Sequence, residues 1–331
     1  MVTPHTHRFA ELVLLAIVTT VGCGGPTAPS SVQSSANPEA ARAHLNALLM
    51  TMETYSVNKA NIDWPNFRAQ VIEAAGNAGT IPELRPAIEL ALRLLDDHES
   101  YYQRAGTLVG PAPIGGCSAA ALTTPEVPET IGYVKVGPCD CQGSAVTQFA
   151  ESVQLAIKAA DRQGLVGWIV DLRGNFGGNM WAMIAGIGPV LGEGIIGWIT
   201  YNDREYEREY RNGAATSFGE TFASVTAPHT LARQHPKVAV LTDGFVASAG
   251  EAIVVFFKGR PGSRSFGTPT CGHHHLQQPF SITDGATLFL VSGQHADRTK
   301  RRYGGSISPD EVMSDPREAV NRAIAWLLAG G

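Results

Sequence analysis

The chain has 331 residues, of which 44% are hydrophobic and 17% charged, and a net charge of −5. That is enough apolar material for a packed core and too little charge for a disordered chain. No basic bias exists, which argues against a nucleic-acid partner.

The first residues read as an export signal. His5, His7 and Arg8 make a weakly basic start, Leu12 to Val21 is a short apolar run, and Gly22-Cys23 follows. The run is too short to span a bilayer and has the length of a signal-peptide core. A Cys after a small residue matches a bacterial lipoprotein cleavage site, and a lipid on Cys23 would tether the mature protein to a membrane surface. The expected location is therefore exported, periplasmic or attached to the cell envelope. Residues 24–37, rich in Ser, Pro, Ala and Gln, read as a flexible tether. Four further cysteines, Cys117, Cys139, Cys141 and Cys271, allow two disulfides in such a compartment. Cys139 and Cys141 look too close to pair with each other. The expectation is that one of them bridges to Cys117 and the other to Cys271.

From Pro38 to about Arg104 apolar residues recur at helical spacing: Ala41, Leu45, Leu48, Leu49 and Met52, then Phe67, Val71, Ile72 and Ala75, then Ile88, Leu90, Leu92 and Leu95. This predicts a three-helix subdomain over 38–105. Residues 105–130 are rich in Gly, Pro, Ala and Thr and read as a loop. A strand is predicted over Ile131 to Val136, a helix over Gln142 to Arg162 and a buried strand over Val166 to Leu172. A helix over Asn179 to Leu191 follows, with strands within Ile195 to Tyr210. Val238 to Leu241 is a second buried strand and leads into a helix from Ser248 to about Lys258. Thr287 to Ser292 reads as a strand. Pro316 to Leu328 is a closing helix with Asp315 as N-cap. Alternating strands and helices over 106–331 predict an α/β core.

Two segments carry candidate chemistry. Asp171-Leu172-Arg173-Gly174-Asn175-Phe176-Gly177-Gly178-Asn179 lies between a buried strand and a helix. A glycine-rich turn there can expose backbone N–H groups to developing negative charge. The glycine spacing is not the dinucleotide fingerprint and no Walker lysine follows, so no nucleotide cofactor is implied. Thr242-Asp243-Gly244-Phe245-Val246-Ala247-Ser248-Ala249-Gly250-Glu251 follows the second buried strand. Ser248 begins a helix among small neighbours that leave its hydroxyl accessible. Ser-x-x-Glu is also a capping box, so Ser248 taken alone reads as an N-cap. A nucleophilic serine needs a base. His98, in Leu95-Asp96-Asp97-His98-Glu99-Ser100-Tyr101, and the run His273-His274-His275 are the two places that could supply one. Adjacent histidines rarely chelate one ion together, and no metal site is expected.

Taken in order, His98, the turn 171–179, Ser248 to Glu251, Gly267-Thr268-Pro269-Thr270 and Tyr303-Gly-Gly-Ser-Ile-Ser-Pro-Asp310 resemble the C-terminal processing (tail-specific) serine peptidase family. The likeness includes its tricorn-core and retinoid-binding-protein-like relatives and covers about residues 40 to 312. It implies a Clp-protease/crotonase-like spiral of ββα units, capped by the N-terminal helical subdomain. It also implies acyl transfer on a peptide or protein substrate with no cofactor. Ser248 takes the nucleophile's position, and Gly177 or Gly178 with Ala249 would supply the oxyanion donors. One branch uses a lysine shortly after Gly-x-Pro-Thr, where this chain has His273. Another takes its base from a histidine ending the helical region, where His98 stands. His98 is the preferred base and His273 the second. The family's third member has no clear equivalent, and Asp297 is the candidate for it. A PDZ domain, common in the family between the helices and the core, does not fit between His98 and Ile131. A non-catalytic peptide- or hydrophobic-ligand-binding protein is the alternative on the same fold. An acyl-thioester hydratase or isomerase is a further one, disfavoured by the export signal.

Overall fold

The computed structural model describes residues 36–110, 117 and 124–329. The expected signal segment 1–23, Cys23 and most of the expected tether lie outside the described residues. Three helices come first: α1 (Pro38–Tyr55), α2 (Trp64–Ala75) and α3 (Arg85–Leu94). Each has Pro in its first turn, where the missing N–H has no helical partner to lose. Asn37 and Asp63 accept the amides of Ala40 and Asn66, which caps α1 and α2. The apolar stripes bury Leu45, Leu48, Met52, Phe67, Val71, Ile88 and Leu92 in one cluster with Leu288 and Leu290.

The elements that follow are β1 (Tyr101–Arg104), β2 (Thr107–Val109), β3 (Ile131–Lys135), α4 (Ser144–Ala160), β4 (Gly167–Asp171), α5 (Met180–Leu191), β5 (Gly194–Tyr201), β6 (Arg204–Arg211), β7 (Ala214–Ser217), β8 (Glu220–Ser224), β9 (Lys237–Thr242), α6 (Ala249–Phe257), β10 (Ser263–Gly267), β11 (His275–Ser281), β12 (Thr287–Ala296), β13 (Glu311–Val312) and α7 (Pro316–Leu328). One sheet runs β13-β10-β9-β4-β3, and its strands pair in parallel. Its two faces are covered by separate apolar clusters. Residues of α4, α5 and α6 form one, and residues of α7 form the other. Burial on both sides explains why Gly167–Asp171 has no exposed position. The second sheet is antiparallel in the order β2-β1-β12-β5-β6-β7-β8, with β11 also pairing β12. Asn202 and Asp203, at φ 48° and 60°, make the turn from β5 to β6, and Asn212-Gly213 makes the next. The α/β class expected from the sequence is the one observed.

Two expectations are corrected. The helical reading stopped too late, since Tyr101–Arg104 is a strand paired with β12, Tyr102 opposite Leu288. The Asp97 side chain ends the helical run by taking the amides of Glu99 and Ser100. The disulfides are Cys117–Cys271 and Cys139–Cys141. One intervening residue is enough for the second, because Cα–Cα is 5.1 Å, well inside the usual range.

Gly188 of α5 packs against the buried ring of Tyr210, which occupies the space a Cβ would need. Helix propensity favours Ala over Gly by about 1 kcal/mol, but a buried tyrosine has no room to turn aside. With the propensity gain subtracted, Gly188→Ala should lower the unfolding free energy by up to about 2 kcal/mol, read from urea denaturation. A stabilised variant would contradict this packing.

Candidate active site

Neighbouring parallel strands end on the same side of a sheet, so the loops after β3, β4, β9 and β10 meet at one edge, where open α/β sheets place their sites. Backbone contacts lock them together. Cys139 N–H donates to Gly177 O at 3.0 Å, and Asn179 N–H donates to Cys139 O at 2.7 Å. Ala247 N–H donates to Asn175 O at 3.0 Å, and Cys271 N–H to Val246 O at 2.8 Å. A Cβ on Gly177 would lie 2.7 Å from the Ser248 Cβ, and one on Gly178 would strike the Cys139 carbonyl. Both glycines also have positive φ, 110° and 105°. The two positions are thus glycine by space and by backbone conformation.

Ser248 is exposed and is the N-cap of α6. Its dihedrals, φ 52° and ψ −124°, are not those of an ordinary cap, which sits in the β region. A non-glycine residue held there stores on the order of 1–3 kcal/mol, and such strain clusters at functional sites. Capping alone gives no reason for it. Glu251, fully buried, fastens this turn. Its Oε2 accepts the Ser248 N–H at 3.2 Å and the His273 N–H at 2.6 Å. Its Oε1 accepts the Gly272 N–H at 2.8 Å and a short bond from the Thr270 hydroxyl. Burial pushes the Glu251 carboxyl up to about 7, against the pull of the Thr270, Gly272 and His273 hydrogen bonds; the charge of Glu99 adds to the rise.

The two glycine amides differ in use. Gly177 N–H donates to Asn175 Oδ1 at 2.9 Å, and the Asn175 amide group is itself held by the Val136 and Gly137 carbonyls. Among the described residues, the amides of Gly178 and Ala249 have no hydrogen-bond partner. Ala249 N–H is also a first-turn donor of α6, which carries partial positive charge. Beneath the turn, Asp171 and Arg173 form a buried pair at 2.7 Å, with Tyr133 donating to Asp171 Oδ2 at 2.9 Å.

The histidines are placed unequally. His98 is turned to solvent, its side chain 85% exposed, with Asp96 as its partner at 3.4 Å. Among the described residues nothing links it to Ser248. His273 shares Glu251 with Ser248 through its backbone. Its ring lies beside the Cys117–Cys271 disulfide, with a ring nitrogen and both sulfurs mutually within 4.8 Å. Both sulfurs are spent in the bridge, so the group offers no thiolate to a metal. Asp297 is buried and occupied by Thr299, Arg301 and the Tyr303 hydroxyl, with no histidine on it among the described residues. Sequence reasoning did not single out Glu99. It is 9% exposed, and its Oε1 meets His275 Nδ1 at 2.5 Å.

Residues 130–313 match the profile of Peptidase family S41. A nisin-resistance protein of Lactococcus lactis subsp. lactis is 28% identical over 303 residues, covering 88% of each chain. A carboxyl-terminal-processing protease of a Synechocystis strain is 29% identical over 203 residues, 60% of this chain and 41% of that protein. A lipoprotein structure from Streptococcus agalactiae superposes with a TM-score of 0.62 at 21% identity, covering 89% of this chain and 98% of the other.

Glu251 also predicts a pH dependence. Its carboxyl titrates near 7 when folded and near 4.5 ordinarily. Between these values the folded chain binds the extra proton, so the group's contribution to stability is full below about 4.5 and is lost as pH rises through about 7. Glu251→Gln removes this titration. Urea denaturation at about pH 5 and about pH 8 should show wild type losing more stability across the interval than the variant. Equal losses would contradict the raised value.

Proposed function

The chain belongs to Peptidase family S41, and from that premise we propose that it is a serine-type peptidase. It would cleave peptide bonds through an acyl-enzyme on Ser248. The observation that carries this reading is the exposed Ser248 at φ 52°, packed against Gly177 with unpaired amides on Gly178 and Ala249. In this mechanism the Ser248 oxygen attacks the scissile carbonyl, and the Gly178 and Ala249 N–H groups donate to the oxyanion. One such donor is worth about 2.7–4 kcal/mol in the transition state. Gly177 shapes the turn, its own amide being held by Asn175. An imidazole from the 273–275 run accepts the Ser248 proton and returns it to the leaving amine. Water then frees the acyl group.

The substrate is a peptide or protein. An exported or envelope-attached setting, through Cys23 when lipidated, is supported by the relative named for nisin resistance and the neighbour described as a lipoprotein. The two disulfides fit the same oxidising compartment.

A fluorophosphonate probe should label wild-type protein at Ser248, read by peptide mass spectrometry. Ser248→Ala should abolish labelling and lower peptide turnover by about 10⁶-fold, the scale of a lost serine-protease nucleophile. Absence of both labelling and turnover in wild type would leave a binding protein on a peptidase fold.

A further inference from the structure

We propose that His275 is the general base of this site and that Glu99 is the residue that positions its ring. The assignment rests on the peptidase reading above. Glu99 is delivered by a turn held by four hydrogen bonds. Asp97 Oδ1 accepts the Glu99 N–H at 3.0 Å and the Ser100 N–H at 2.8 Å, and Asp97 Oδ2 accepts the Ser100 hydroxyl at 2.6 Å. Ser100 Oγ in turn accepts the Val291 N–H at 2.9 Å, which pins the turn to β12. His98 takes φ 58° in this turn, so its ring projects outward while Glu99 points into the protein. Among the described residues, no lysine or arginine pairs with the Glu99 carboxylate; its side-chain partner is His275. The ring is held from a second side by His274, stacked with a centroid distance of 4.5 Å.

That contact decides the tautomer. A carboxylate accepts, so His275 Nδ1 carries the hydrogen and Nε2 presents its lone pair. A base that takes a hydroxyl proton needs this state, and a carboxylate on Nδ1 also stabilises the imidazolium once formed. Position agrees with chemistry. The amides of His273 and Ser248 share one oxygen of Glu251, so they lie within two hydrogen-bond lengths of each other. His275 follows two residues later, about 7 Å of extended chain at most, and the charge of Glu99 is felt at Glu251. The competing rings lack a carboxylate partner. Among the described residues His273 lies beside the disulfide with no ring hydrogen bond, and His274 donates Nε2–H to the Tyr303 carbonyl while its Nδ1 is buried without a partner.

Phosphonylation by a fluorophosphonate tests the step without knowledge of the natural substrate. The Ser248 Oγ–P bond forms, the P–F bond breaks with its pair on fluoride, and the Oγ proton passes to His275 Nε2. The maximal labelling rate and the probe concentration at half-rate are measured separately. In His275→Ala the maximal rate should fall about 10²–10⁴-fold, the range for a lost general base, with little change in half-rate concentration. Added imidazole should restore part of it, which a merely structural role would not allow. Glu99→Gln should also lower the rate, and Glu99→Asp should recover more of it than Gln. His275→Gln serves where the alanine variant does not fold. Labelled wild type together with His275 variants within a small factor of it, or collapse in His98→Ala with His275→Ala active, overturns the assignment and leaves Ser248 in place. Wild type that never labels removes the nucleophile, and the base with it.

Discussion

A buried carboxylate without a cation organises the site. Taking the Glu251 charge out of water costs several kcal/mol even after relaxation, and among the described residues no lysine, arginine or histidine side chain pairs with it. Four donors offset part of that cost: the Ser248, Gly272 and His273 amides and the Thr270 hydroxyl. A hydrogen bond to a charged group contributes about 1.5–3 kcal/mol, and the carboxyl is still pushed up to about 7, so the four donors leave part of the burial cost unmet and the group takes up a proton below that pH. The donors come from two loops, one after β9 and one after β10. All four are made only when both loops are in place together, which makes one acidic side chain a geometric lock on the serine turn.

The remaining loops are joined by backbone approach. Gly177 meets Ser248, Gly178 meets Cys139, and Gly250 meets the Asn175 carbonyl, each leaving no room for a Cβ. Such approaches fix the chain path around Ser248, whose φ of 52° is strained for a non-glycine residue. The disulfides extend the same bracing. Cys139–Cys141 belongs to the loop that clasps Gly178, and Cys117–Cys271 anchors the start of the segment that carries the three histidines.

How much of this the sequence reveals depends on range. Strands β4 and β9 were readable because burial on both faces leaves unbroken apolar runs, and the helices beside them because one face is apolar. Strands β10 and β11 were not. Ser-Arg-Ser-Phe-Gly and His-Leu-Gln-Gln-Pro-Phe-Ser have neither alternation nor a run, and β11 pairs on one side only and carries Pro279. Strands β7 and β8 are short, and only the Asn212-Gly213 hairpin signal marks where β7 begins. At the site, Ser248 and its glycines lie in short local motifs. The Glu99–His275 contact joins residues 176 apart, and no periodicity records it.

The segment Asp96 to Ser100 shows why residue type alone misleads. Histidine at position 98 is the residue a reader of chemistry selects, yet the Asp97 turn gives His98 a positive φ and turns it to water, sending the neighbouring carboxylate inward. The run 273–275 repeats the lesson. Three identical side chains in sequence face a disulfide, a backbone carbonyl and a buried glutamate. An imidazole beside sulfur has no oriented proton. One that donates Nε2–H to a carbonyl keeps its lone pair on an Nδ1 buried without a partner. The one against Glu99 has a fixed tautomer with Nε2 left over. The capacity for base chemistry therefore belongs to the pair, and it is set by the distant turn that brings the carboxylate in.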